Sequence, residues 1–246
     1  MNVPRKPLGH KNYGSIPHLP GSRLGPGDHS CHPGQARIAT EERRDKHDEI
    51  FVQEKLDGSN VGVARIDGQV YALGRAGYLA QTSPYEQHQL FASWVRENAD
   101  RFMGVLQDGE RLVGEWLAQA HGTRYDLPHE PLVVFDLMVE HERLPYDQFI
   151  DRTADFEVPL LLDRGYPCSV EDALLLLDEF KEYHGAIDPP EGIVWRVERD
   201  RLVDRHSGKR ERVVDFLVKW VRPDKVDGAY LPEISGKPPV WNWRPQ

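Results

Sequence analysis

Ile50-Phe51-Val52-Gln53-Glu54-Lys55-Leu56-Asp57-Gly58-Ser59-Asn60-Val61-Gly62-Val63 reads as a strand, a short polar break and a second strand. Val61, Val63 and Ile66 alternate, Asp67-Gly68 supplies a hairpin turn, and Val70 and Ala72 continue the pattern toward Arg75. A lysine placed at the end of such a strand, two residues before Asp-Gly, is not a typical solvated surface cation. Held in that setting, an amine can serve as a nucleophile toward phosphorus.

Working outward, Pro84 to Met103 predicts a helix, with Leu90, Trp94, Val95 and Phe102 on one apolar side. Residues Arg111 to Leu117 and Pro131 to Val139 predict two strands, the second nearly all apolar and therefore central. Ser169 to His184 predicts a helix opened by a Ser169-x-x-Asp172 capping box. Gly192 to Val197 and Val213 to Val221 are late strands. Strands dominate and helices intervene irregularly, which predicts an α+β fold with antiparallel sheets flanked by helices, not a doubly wound one.

Residues 1–36 are dense in Gly, Pro and His and predict an ordered loop able to touch a phosphate, not a helix or a central strand. The expected division is a segment over 1–40 and a catalytic domain over 41–246. His29, Cys31 and His32 suggest zinc, but no second ligand pair follows at the usual spacing, so a metal is not expected there.

The net charge of −9 over 246 residues looks wrong for a nucleic-acid protein until it is resolved along the chain. Arg5, Lys6, Lys11, Arg23 and Arg37 face only Asp28 in the first 38 residues, and residues 199–225 hold nine Lys/Arg against five acids. The acidic excess lies between them, a distribution that fits a phosphate-binding face on an acidic body. Two distant cysteines, Cys31 and Cys168, point to a reducing cytoplasm, and no signal peptide or membrane anchor is expected.

Five strand positions carry ionisable residues among apolar or glycine neighbours: Lys55, Glu115, Asp136, Glu191 and Lys219. Buried charge is costly unless paired or metal-bound. Their signs suggest one cleft with carboxylates for a divalent metal and lysines for a phosphate.

The order Lys-x-Asp-Gly, Arg, Gly-Glu, Phe-Asp, Glu-Gly-x-Val, Lys resembles the covalent nucleotidyltransferase superfamily of ATP-dependent ligases and mRNA capping enzymes. The chain is most similar to RNA ligases of the phage T4 RNA ligase 2 type, over about Glu54 to Arg222. The resemblance implies that Lys55 attacks the α-phosphate of ATP, expels pyrophosphate and holds AMP. It implies that Asp57 and Asn60 position ribose, phosphate or the strand end, and that Glu54 lies near the adenine. Arg75 would contact the ribose or donor phosphate. Glu115 would hold the ribose or a metal-bound water, and Phe135 would stack on adenine with Asp136 behind it. Glu191 would bind Mg²⁺ or Mn²⁺, and Lys219 would contact the α-phosphate. An ammonium cannot attack, so the Lys55 pKa is expected to be lowered by Lys219 and the metal.

The expected activity is ATP-dependent sealing of RNA 5′-phosphate and 3′-hydroxyl ends, with RNA as partner and an end-healing kinase or phosphatase as a further one. Asn60 favours RNA, because DNA ligases and many capping relatives resemble one another in carrying Arg at that position. A DNA ligase, a guanylyltransferase and a non-catalytic end-binding relative remain as alternatives. The last motif of the family usually has two lysines separated by one residue, whereas Leu217-Val218-Lys219-Trp220-Val221 has one. Arg222 is the candidate substitute. Only 24 residues follow it, so an appended OB-fold is not expected. Trp220 and the Trp241-Asn242-Trp243 tail are expected to pack in the core, and His121 to act as a loop hydrogen-bonder.

Overall fold

A computed structural model describes residues 5–204 and 206–245. In chain order the strands are β1 (Asp48–Lys55), β2 (Ser59–Ile66), β3 (Gln69–Gly74), β4 (Glu110–Trp116), β5 (Leu132–Val139), β6 (Glu142–Arg143), β7 (Leu161–Arg164), β8 (Gly192–Leu202) and β9 (Arg210–Val221). The helices are α1 (Pro33–Thr40), α2 (Glu86–Glu97), α3 (Ala99–Val105), α4 (Tyr146–Arg152), α5 (Val170–Glu179) and α6 (Pro232–Ser235). Two antiparallel sheets form, ordered β7-β1-β8-β9 and β3-β2-β4-β5-β6. This is the predicted α+β architecture.

The Leu56-Asp57-Gly58 break carries the chain from the first sheet to the second, so Lys55 stands where the two sheets meet. The β2–β3 hairpin turns at Asp67 (φ 51°) and Gly68 (φ 72°), the two left-handed residues of a tight strand-matching turn. Strand alternation then sorts the faces. Ile50, Val52, Ile193, Trp195, Val197, Val218 and Trp220 pack outward into a core with α1 and α5. Val61, Val63, Leu112, Trp116 and Val134 form a second core with Phe91 and Trp94 of α2 and Phe102 of α3. The polar faces are left to look toward each other.

Several local expectations are modified. The helix predicted over 84–103 breaks at Asn98 (φ −106°, ψ 19°), whose backbone and side-chain amides both donate to the Trp94 carbonyl and close α2. Asn competes well with helical backbone hydrogen bonding. α5 stops at Glu179 because the chain leaves it to turn His184 inward, where Nε2 lies 2.7 Å from Glu54 Oε1. Within the loop expected over 1–36, a helix starts at Pro33, a position that needs no amide donor. His32 caps it: Nδ1 accepts from the Gly34 amide at 3.1 Å, so this histidine is committed to the helix end.

The N-terminal segment packs into the body. Leu19 N donates to Lys219 O at 2.8 Å and Lys219 N donates to Pro17 O at 3.0 Å. Residues 17–19 therefore run parallel beside β9 and cover an otherwise open sheet edge.

Candidate active site

The inner faces of the sheets and the N-terminal segment enclose a cleft of about 440 Å³. That size suits a nucleotide-sized ligand. Every predicted site residue lines it: Glu54, Lys55, Asp57, Asn60, Arg75, Glu115, Phe135, Asp136, Glu191 and Lys219.

Register explains the convergence. Lys55 pairs with Gly192, which pairs with Val221; one row along, Gln53 pairs with Val194, which pairs with Lys219. Lys55 and Lys219 therefore project from the same sheet face, with Glu191 at the strand entry beside them. On the other sheet Asn60 pairs with Glu115 across β2–β4. Val113 pairs with Asp136 but Gly114 pairs with Val134, so Phe135 is the extra residue of a bulge. The bulge breaks the alternation and lets both Phe135 and Asp136 reach the cleft, an aiming device common beside active sites.

Lys55 Nζ lies 2.5 Å from Glu191 Oε2. Burial works against its ammonium, but Glu191, Glu115 and Asp57 outweigh burial and hold it above its ordinary value. This corrects the sequence expectation of a lowered Lys55 pKa: without nucleotide, the carboxylates around it dominate. Burial pushes the Glu115 and Glu191 carboxyls up to about 7, with Lys55 opposing and neighbouring carboxylates adding to the shift. Lys219 is the complementary case, lowered by burial and by Lys55, with Asp28 pulling the other way.

The Asp-Gly break is locked from both sides. Asp57 Oδ2 accepts from the Gly122 amide at 3.0 Å and Thr123 Oγ1 at 3.2 Å, with Lys225 Nζ at 3.5 Å. Gly58 N donates to Glu115 Oε1 at 3.1 Å, and a Cβ at Gly58 would sit 2.5 Å from the Trp116 carbonyl oxygen. Asp57 thus organises the loop that presents Lys55. Asp136 is 1% exposed and is held by Arg196 Nη1 at 2.6 Å, Tyr13 Oη at 2.6 Å and Arg143 Nε at 2.9 Å. It braces the wall behind Phe135, whose ring packs edge-on against Tyr13 at 5.3 Å. Arg75 is exposed at the mouth, its Nη2 3.4 Å from Ser15 Oγ.

Arg222 does not replace the missing lysine. Alternation turns it away from the cleft, where it binds Asp178 and donates Nε to the Pro190 carbonyl at 3.1 Å. Leu217 and Val221, which share the face of Lys219, occupy the neighbouring positions. His121 Nε2 contacts Gln87 Oε1 at 3.1 Å, Trp220 is core, and Trp243 packs on Trp116.

Sequence reasoning missed Tyr13, His18, Asp28, Arg196 and Lys225. Asp28 Oδ1 lies 3.8 Å from Lys219 Nζ, and Asp28 Oδ2 lies 3.2 Å from the buried His18 Nε2. Being the sole acid of a basic segment was the one signal that marked Asp28. Lys225 had none beyond its place in the basic stretch.

A divalent ion suits the donor set. Glu115 and Glu191 are hard oxygen ligands, and burial, with neighbouring carboxylates adding to it, raises both. Among the described residues no group of three or more His, Cys, Asp or Glu forms a cage. Two carboxylates, completed by phosphate oxygens and water, are what Mg²⁺ takes in nucleotide sites.

Fold and cleft together define an α+β protein with an amine and two carboxylates at the centre of a cleft of nucleotide size. The chain belongs to the RNA ligase family, whose model matches residues 48–221. It is similar to a putative ATP-dependent DNA ligase from Aquifex aeolicus (17% identity, TM-score 0.46, 85% of this chain and 49% of that one). It is also similar to an archaeal ATP-dependent RNA ligase (16%, TM-score 0.45, 85% and 48%). A Naegleria gruberi RNA ligase mutant with ATP and Mn matches at 17% and TM-score 0.47, over 92% of this chain and 64% of that one. An uncharacterised Methanocaldococcus jannaschii protein is 50% identical over 32 residues, 13% of this chain and 8% of that protein. The chain spans about half the length of the first two of these structures.

Proposed function

We propose that the chain is an ATP-dependent polynucleotide ligase of the phage T4 RNA ligase 2 type, adenylated on Lys55 and sealing RNA 5′-phosphate to 3′-hydroxyl ends. The observation that carries this is Lys55 Nζ, 2.5 Å from Glu191 and on one face with Lys219, in a nucleotide-sized cleft walled by Phe135. Family membership supports the ligation chemistry, and Asn60 supports RNA.

In the adenylation step the Lys55 amine attacks the α-phosphorus of ATP. The Nζ–P bond forms as the P–O bond to the β-phosphate breaks, and the electron pair leaves with pyrophosphate. The amine must first lose its proton. Glu191, whose carboxyl burial pushes up to about 7, accepts the Nζ proton. Lys219 and Arg75 supply counter-charge to the phosphates. Phe135 offers a face for the base, while the Glu54 carboxylate is already engaged by the Leu160 amide and by His184, each 2.7 Å from Oε1. A divalent ion held by Glu115 and Glu191 would stabilise charge on the phosphate oxygens.

Cys31 and Cys168 are both free thiols, which supports a reducing compartment such as the cytoplasm, and no described helix is long and apolar enough to cross a membrane. An end-healing kinase or phosphatase would supply the 5′-phosphate and 3′-hydroxyl ends. Incubation with labelled ATP or GTP, followed by denaturing electrophoresis, tests the first step. Label from ATP that disappears in Lys55→Ala supports the assignment, and label that persists in that variant sinks it. A panel of RNA, DNA and mixed nicks with Mg²⁺ or Mn²⁺ then reads the strand preference, and sealing of DNA alone would replace RNA as the substrate.

A further inference from the structure

Behind the wall formed by Tyr13 and Asp136 lies a second polar hollow that the adenylation chemistry does not use. Arg111 of β4 is 2% exposed. Its Nε donates to the Asn12 carbonyl at 2.9 Å and its Nη2 approaches Met138 Sδ at 3.6 Å, but Nη1 has no partner. Asn12 is fully buried and neither atom of its carboxamide is hydrogen-bonded. Gly62 makes room for that amide, since a Cβ there would meet Asn12 Oδ1 at 2.2 Å. Arg111 and Asn12 line the same hollow, with Lys11, Arg143, His10 and His141 around them and no carboxylate among the described lining residues.

Arg111 Nη1 and the Asn12 amide are thus buried polar atoms that no protein group satisfies, and a polar group left so is costly until something in the hollow bonds it. Asp136, the carboxylate that acts on Arg111, is already shared by Tyr13, Arg143 and Arg196. Arg196 also engages Glu198, so three buried or half-buried arginines face two carboxylates and one positive charge is left over.

We propose that this hollow is a phosphate-binding site, separate from the nucleotide cleft. The donors come from three directions: the N-terminal segment, β4 and β6. A tetrahedral oxyanion presents oxygens to all three, whereas a planar carboxylate would satisfy a single fork. Guanidinium groups bind phosphate strongly, and Lys11 with the two rim histidines draws an anion inward. Gly14 lines both the hollow and the cleft, so one short stretch of chain separates the two sites. The phosphate comes from an inorganic ion or from the backbone of a polynucleotide strand.

The test is independent of ligation and uses no ATP. Inorganic phosphate, pyrophosphate and a short 5′-phosphorylated oligoribonucleotide are titrated while the ring resonances of His10 and His141 are followed by NMR. Those signals are assigned with His10→Gln and His141→Gln, and they report this hollow and not the Lys55 cleft. Saturable shifts are expected. They weaken about tenfold or more in Arg111→Met, which keeps side-chain bulk and removes the charge. They weaken severalfold in Lys11→Ala, whose exposed position leaves folding intact. Should Arg111→Met melt lower than the parent, the Lys11→Ala comparison decides. Shifts with phosphate or pyrophosphate identify an ionic occupant, and shifts with the oligonucleotide alone identify the strand. No shift with any probe, or shifts unchanged in both variants, overturns the proposal.

Discussion

Lys55 and Glu191 are held 2.5 Å apart, Nζ to Oε2, because β1 ends opposite the residue at which β8 begins. Lys55 pairs with Gly192, so the residue before that glycine must arrive beside the lysine. In the function proposed above, the pair is a resting state in which the nucleophile is charged and guarded. Removing the nucleophile in Lys55→Ala is expected to reduce AMP uptake by about a thousandfold or more. Glu191→Gln keeps the shape and removes the proton acceptor, and a loss of roughly a hundredfold is expected. Label transfer from ATP measures both, and uptake undiminished in Glu191→Gln would show that the pair has no part in activation.

The raised carboxyls give a pH signature with a definite sign. Glu115 and Glu191 rise from 4.5 to about 7 on folding, so between those values the folded chain binds more protons than the unfolded chain. Their contribution to stability therefore falls as pH rises through that window and levels off above it. Lys55 is raised above its ordinary value and stays charged throughout, so its contribution is constant there. Thermal melts from pH 4.5 to 8 should show the parent losing stability relative to Glu115→Gln as pH increases. Affinity for Mn²⁺ should climb over the same range, because the ligands must be ionised. Parallel melting curves would contradict the assignment.

The site was legible where chemistry is written in short order and illegible where it depends on long-range packing. Lys55, Glu115, Glu191 and Lys219 sit at or beside strand positions among apolar or glycine neighbours, and a charge there has few bland explanations. Tyr13 and Arg196 support Asp136 from 123 and 60 residues away, and no local pattern marks either one. The substitution offered by Arg222 failed for a simple reason: a shift of one residue along a strand reverses the face. The break of the long helix at Asn98 and the early end of α5 reflect where tertiary contacts need the chain to go. Propensity alone could not locate them.

Arg196 is 1% exposed, with Asp136 at 2.6 Å and Glu198 at 2.7 Å. Arg196→Ala would strand two buried carboxylates, and a loss of about 3–5 kcal/mol is expected from urea unfolding. Arg196→Met restores volume but not charge and should recover little of that loss. The damage should extend to nucleotide binding, because Asp136 would release Tyr13 and with it the support behind Phe135. A variant as stable as the parent would mean that the network is not holding this wall.

Asp28 reaches Lys219 from a segment far away in sequence, with Oδ1 3.8 Å from Nζ. Burial and Lys55 lower the Lys219 pKa, whereas Asp28 and Glu191 raise it. Asp28→Asn removes one of the two opposing charges while keeping the side-chain shape. Lys219 should then lose its proton at lower pH, and the counter-charge it offers to phosphate should fade earlier as pH rises. The alkaline limb of the AMP-uptake profile is expected to move down by up to about one pH unit, with the acid limb set by Glu191 unchanged. A profile that shifts on both limbs, or on neither, would show that Asp28 serves only to hold His18 and the loop around it. The same substitution separates two uses of the N-terminal segment, since a purely structural strap would lower the melting temperature without moving either limb.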